Sequence, residues 1–263
     1  MEQSSDDKKK KQVEEILLMP IICNKFIKGT VRRGNWIYTG QKYCNSSDED
    51  MSDFAVGFYE ILYRNIINFD NNPSSILDST GYFNDPNFAG DTMNSFRTVS
   101  NKYDKNSSKW SECLWDYFEE YHCLANFWIL PMNIGRTSSH TPEEFRKYSK
   151  SKSGINDYMD RFLEYYKNNI LEYSESFNVY FSRFDSFEDF ATKHFLFESY
   201  IIGKDGIDTY SNLQNRDEVV KSMKSKIKIR ANCISKSELN LGDSQKVLWK
   251  ALWEYFDNLN IIQ

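Results

Sequence analysis

Proline and glycine are scarce in this chain, at 5 and 11 of 263 residues, and their shortage excludes collagen-like, propeller-like and linker-rich architectures. Histidine is scarcer still, with only His122, His140 and His194. His122 and Cys123 are neighbours that diverge by about 100° on a helix, so they cannot share a metal as an i, i+4 pair can. The five cysteines (Cys23, Cys44, Cys113, Cys123, Cys233) are odd in number and include no C-x-x-C pair. That usage fits reduced, packed thiols and not a disulfide framework. No apolar run approaches the ~18 residues that cross a bilayer, and the opening MEQSSDDKKKKQ has no secretory apolar core behind it. The expectation is a soluble, cytoplasmic protein without a membrane partner. Also missing are G-x-S-x-G, H-E-x-x-H, a Walker loop and the Rossmann glycine fingerprint. No metal or cofactor is expected, and the reading leans away from an enzyme.

Large rings are plentiful. Seventeen Tyr, 19 Phe and 6 Trp make up 16% of the chain, within an apolar content of 40%. Such a chain can bury a sizeable core, which excludes wholesale disorder. The 33 Lys+Arg against 38 Asp+Glu leave a net charge of −5, without the domain-wide basic excess that usually marks nucleic-acid binding.

The pattern divides the chain into a charged tail (1–12), an N-terminal segment (13–52) and a helical core (53–263). The tail carries the Lys8–Lys11 run with nothing apolar to bury. The second segment holds β-branched and aromatic residues around Arg33-Gly34-Asn35, which predict a hairpin. From Asp53 the period turns helical, with Phe54, Phe58, Ile61, Leu62 and Ile66 on one face. Ser111 is placed to cap a helix running to about Cys123, and FWILP (127–131) predicts a brief strand or buried extended run. Thr141-Pro142-Glu143-Glu144 opens another helix, and a stripe over 156–173 a further one. Ser186 with Asp189 resembles a capping box, starting a helix that ends at Gly203. Asn215 and Asp243 are positioned to cap the last two. The predicted class is mainly α, with a small N-terminal β element.

Four groups of residues are candidate sites. In Phe88–Phe96, Gly90, Asp91, Thr92 and Asn94 suit a helix start, which can hold an anion or simply cap itself. In Tyr121–Arg136, the polar His122, Asn126, Asn133 and Arg136 stand beside an apolar run; with Asp157, Asp160 and Arg161 they form either a cleft or a knitted helix junction. Lys221, Lys224 and Lys228 share one helical face in a stretch, 221–236, that contains no acid, and are the nucleic-acid candidates. Arg146, Lys147, Lys150 and Lys152 make a second basic patch. A solvated lysine face is the ordinary alternative for both.

YHCLANFWILPMNIGR and the later INDYMDRFLEYY resemble a pattern in uncharacterised proteins of low-GC Gram-positive bacteria and their phages. FDSFEDFATKHF and SMKSKIKIRANCI are similar to that group too, over about residues 54–235. Abundant Asn and Lys with little Ala is the usage of AT-rich coding sequence. A fainter similarity is to the second half of the His-Me finger (HNH-type) nucleases, with Asn126, Leu130, Asn133 and Lys147 or Lys152 at matching places. That resemblance implies His122, Asn126 and Asn133 as catalytic candidates. The family's upstream Asp-His pair has no counterpart, because no histidine precedes His122. The expected function is a non-enzymatic interaction module with a protein partner, acting in phage–host or mobile-element conflict; the alternative is a nucleic-acid binder or degenerate nuclease.

Overall fold

The computed structural model describes residues 4–22, 37–38, 49–66, 88–99, 110–131, 162–164, 166–167, 180–198, 201–202, 206–207 and 215–262. The fold is mainly α, and among the described residues strands occur only in two-stranded pairs. Helix α1 (Ser5–Leu17) starts under Ser4, whose Oγ accepts from the Asp7 N–H at 3.1 Å, while Asp6 and Asp7 face the positive end of the dipole. Residues 5–12 are therefore helix and not a free tail. Two lysines of the run, Lys9 and Lys10, stand over rings on the last helix, α7 (Leu248–Asn258). Lys9 Nζ stands 5.3 Å from the Trp253 ring and Lys10 Nζ 5.2 Å from that of Trp249, and Lys10 also pairs with Glu238 at 2.9 Å.

Helix α2 (Asp53–Tyr63) buries Phe54 and Phe58 of the predicted face, with Ile66 just beyond its end, but leaves Ile61 and Leu62 half-buried and buries Tyr59 and Tyr63 instead. It meets α7 through Gly57, where a Cβ would collide with the Tyr255 ring and hydroxyl. That closeness lets Tyr255 stack on Phe54 (6.0 Å, 16°) and donate to the Phe54 carbonyl at 3.3 Å. Helix α7 begins five residues beyond Asp243. Gly242, Ser244 and Gln245 have φ of 84°, 28° and 81°, so the chain first reverses in a turn closed by the Asn240–Val247 bridge.

FWILP forms β4 (Phe127–Pro131), and its antiparallel partner is β3 (Phe88–Thr92), with Gly90 opposite Ile129 and Thr92 opposite Phe127. The Gly90-Asp91-Thr92 segment is thus strand, and the helix start expected there is absent. Strand β1 (Ile21–Ile22) pairs in parallel with β2 (Ile37–Tyr38), and β5 (Ile201–Ile202) pairs antiparallel with β6 (Gly206–Ile207). The hairpin expected around Arg33–Asn35 and the helix expected at Thr141 lie outside the described residues, and of the 156–173 stripe Phe162, Leu163 and Tyr166 are buried.

A short helix, α3 (Phe96–Val99), precedes α4 (Glu112–Glu120), capped by Ser111, whose Oγ accepts from Leu114 N. Helix α5 (Phe187–Lys193) is capped by Ser186, but Asp189 returns its bond to Asp185 N, at 3.0 Å. It ends ten residues before Gly203, in a reversed turn with Phe195 at φ 58°. Phe195 N–H reaches Thr192 O and Leu196 N–H reaches Ala191 O, so Phe195 closes the helix at the position where glycine is the usual residue, and Leu196 after it is buried.

The long α6 (Arg216–Lys236) packs against α1, α4 and α7. It buries a stripe of Val220, Met223, Ile227, Ala231 and Ile234, and with it Lys226 and Arg230 of the acid-free stretch 221–236. Arg230 is fully buried. Nη1 donates to the carbonyls of Ala125 (2.7 Å) and Phe127 (2.9 Å), Nε to His194 O (2.9 Å), and Nη2 to the Tyr63 hydroxyl (3.1 Å). Those four bonds tie α6 to α2, β4 and the end of α5.

Candidate functional site

Alongside α6 runs a groove of about 760 Å³, within the 300–1,000 Å³ range of ligand sites. Two neighbouring helices bound it. Helix α4 runs parallel to α6, joined near their starts by Ser111 Oγ to Asp217 Oδ1 (2.9 Å) and farther along by Lys224 Nζ to Glu120 Oε2 (2.7 Å). Helix α1 runs antiparallel over the other half of α6, with Asn232 Nδ2 donating to Glu14 Oε2 at 3.0 Å. The groove lies where α1 stops and α6 continues beside α4.

Its walls have opposite charge. From α6 come Lys221, Lys224 and Lys228; across from them stand Asp116, Glu119 and Glu120 of α4, with Glu15 of α1. Leu18, Met19, Pro20 and Ile227 supply apolar floor. Lys221 and Lys228 have no ion-pair partner among the described residues, so of the three lysines only Lys224 is neutralised. Both members of the Lys224–Glu120 pair are well exposed (35% and 48%), so the pair stabilises by under about 1 kcal/mol and opens readily. Cys123 sits at the groove but is buried, and burial pushes its thiol up to about 12. A thiol so protonated is no nucleophile.

The sequence candidates divide sharply. The three lysines do share a face, as expected, but that face meets four carboxylates. Asn126 is fully buried and serves architecture. Its Oδ1 accepts from Asn94 N and Nδ2 (2.9 and 3.1 Å), and its Nδ2 donates to Asn94 O and Tyr121 O (3.0 and 2.7 Å). Asn94 is itself fully buried, and its carbonyl also accepts from the Tyr117 hydroxyl at 2.9 Å. Gly90, Asp91 and Thr92 lie in β3, where no helix N-terminus exists to hold an anion. Asn133, Arg136, Asp157, Asp160, Arg161 and the Arg146–Lys152 patch lie outside the described residues.

His122 stands apart from the groove. Its Nδ1 lies 3.0 Å from Glu49 Oε2, and Glu49 is only 3% exposed against 28% for the imidazole. The ring rests on Tyr121 at 3.9 Å. Glu49 Oε1 has no hydrogen-bond partner among the described residues. A buried carboxylate on Nδ1 of a partly exposed imidazole is an arrangement that fixes the orientation of the ring. Glu49 escaped sequence reading because it sits in a polar connector, and only the fold brings its 3₁₀ turn (Glu49–Met51) to His122. The acidic wall was missed likewise, although Asp116, Glu119 and Glu120 have the three-and-four spacing of one helix edge.

His194 is fully buried, with Nδ1 bonded to Phe190 O (2.9 Å) and Nε2 facing the Tyr180 hydroxyl (3.3 Å), which also reaches Ile129 O (2.9 Å). Burial first, then the Arg230 charge, lowers its pKa to about 3. The neutral ring donates from Nδ1 to Phe190 O, and the single Tyr180 proton serves Ile129 O, so Nε2 stands as an acceptor beside that hydroxyl without receiving its proton. On the far side of α4, the half-buried Trp110, Trp115, Phe118 and Tyr121 form a continuous aromatic cluster, with Trp110 and Trp115 centroids 4.7 Å apart.

No family model, no curated protein and no solved structure matches the chain. Among the described residues no helix is long and apolar enough to cross a membrane, and no group of three or more His, Cys, Asp or Glu could hold a metal ion.

Proposed function

We propose that the chain is a non-enzymatic protein-interaction module of the cytoplasm, serving in phage–host or mobile-element conflict. The observation that carries the interaction role is the groove beside α6, with its apolar floor and charged walls of opposite sign. Apolar floors with charged margins are the anatomy of protein-docking sites, and the half-buried aromatic cluster on α4 adds residues of the hot-spot type. The conflict setting rests only on the resemblance of YHCLANFWILPMNIGR and on composition. Purification from the native host without a fusion partner tests the role: a stoichiometric protein that co-elutes supports it, and an inert monomer contradicts it.

A second reading is action on nucleic acid, as a binder or a degenerate nuclease. Two observations favour it: Lys221 and Lys228 have no ion-pair partner among the described residues, and His122 pairs with Glu49. Against it, four carboxylates outnumber three lysines in the groove, where a phosphate backbone would meet net repulsion. Nucleic acid that co-purifies and is removed by salt, with cleavage lost in H122A, would establish this reading.

A further inference from the structure

We propose that the groove takes an acidic segment of a partner protein, with two carboxylates about 10 Å apart flanking an apolar residue. This rests on the interaction role above and names the partner's chemistry. The charges of the groove walls carry it. All four carboxylates are already engaged: Glu15 pairs with Lys11 at 3.9 Å and Glu120 with Lys224 at 2.7 Å, while Asp116 and Glu119 have interactions of their own. Lys221 and Lys228 are exposed and have no ion-pair partner among the described residues. The middle lysine of the row is thus committed to α4, and the outer two present two positive charges to a ligand. Their spacing of i, i+7 on α6 is a rise of about 10 Å. Leu18, Met19, Pro20 and Ile227 offer an apolar floor beside that row. A ligand that pairs with Lys221 and Lys228 and lays an apolar side chain on this floor displaces no existing ion pair. A nucleic acid carries charge along its whole length and brings phosphates past the acidic wall. A protein segment can place acids at two points and neutral residues elsewhere.

The test uses the full chain and three synthetic helical peptides that share one leucine stripe and differ only at positions i and i+7, which match the lysine spacing: glutamate, glutamine or lysine at both. An oligothymidylate serves as the nucleic-acid probe. Fluorescence anisotropy should rank the glutamate peptide first, with the glutamine peptide roughly tenfold or more weaker. K221Q/K228Q should weaken the glutamate peptide by a similar factor and leave the glutamine peptide unchanged. K221E/K228E should lose the glutamate peptide and bind the lysine peptide more tightly than the parent chain does; that gain shows that the variant is folded. Equal affinity for the glutamate and glutamine peptides, indifference of the glutamate peptide to K221Q/K228Q, no binding of any peptide, or tighter binding of the oligothymidylate would overturn the proposal. If the peptides fail while a stoichiometric protein co-elutes from the host with K221E/K228E as it does with the parent chain, the interaction role stands and this assignment of the groove falls.

Discussion

Arg230 Nη1 holds the carbonyl oxygens of Ala125 and Phe127 at 2.7 and 2.9 Å, so one buried guanidinium fixes the point where the 3₁₀ turn Leu124–Asn126 enters β4. No other side chain offers a rigid fork of that reach. R230M should cost about 3–5 kcal/mol in urea unfolding, because three carbonyls and the Tyr63 hydroxyl lose their partner. R230K should not restore the stability, since one ammonium cannot serve acceptors on several sides.

Asn126 and Asn94 make the second buried clasp. N126A should lose about 2–4 kcal/mol through unpaired backbone groups, and N126D should fare no better, because it keeps Oδ1 but loses the Nδ2 donor and buries a charge. Both variants should still bind whatever the groove binds at temperatures where they remain folded. Parallel unfolding and binding measurements separate these effects.

His194 predicts a pH dependence. With a folded pKa of about 3 against ~6.5 unfolded, the unfolded chain binds the extra proton between these values. The contribution is complete above about pH 6.5 and falls on acidification, by up to about 1.4 kcal/mol per unit. Urea midpoints between pH 7 and 4.5 should therefore fall in the parent chain and fall less steeply in H194Q. Equal slopes would remove His194 as the cause.

G57A should destabilise by about 1–3 kcal/mol, because the added methyl meets the Tyr255 ring. Pairing it with Y255A should recover part of the loss if the collision is the cause, a non-additivity that a double-mutant cycle reads directly.

Much of the fold was legible because local chemistry decided it. Ser111, Ser186 and Asn215 cap helices through bonds to residues two or three positions on, and the α6 stripe needs only its own period. Misreadings arose where a distant partner decided the structure. Gly90-Asp91-Thr92 has the composition of a helix start, but β4, more than thirty residues away, makes it a strand. Within Lys8–Lys11, Lys9 and Lys10 find partners only when the tryptophans of α7 dock beside them. Nothing local marks Arg230, in the acid-free stretch 221–236, for burial, because the three carbonyls that converge on it come from distant elements. In the candidate site the lysine face was readable, but the acidic wall opposite exists only once α4 docks alongside α6.

The central claim is that the α6 groove docks protein, and a photo-crosslinking residue at the exposed, groove-lining Ser225 tests it most directly, with Thr192, exposed on α5, as the control position. In native-host extract the account predicts one protein adduct from position 225, absent from position 192 and lost with K221E/K228E. A nucleic-acid adduct, equal labelling from both positions, or no adduct from position 225 would contradict it.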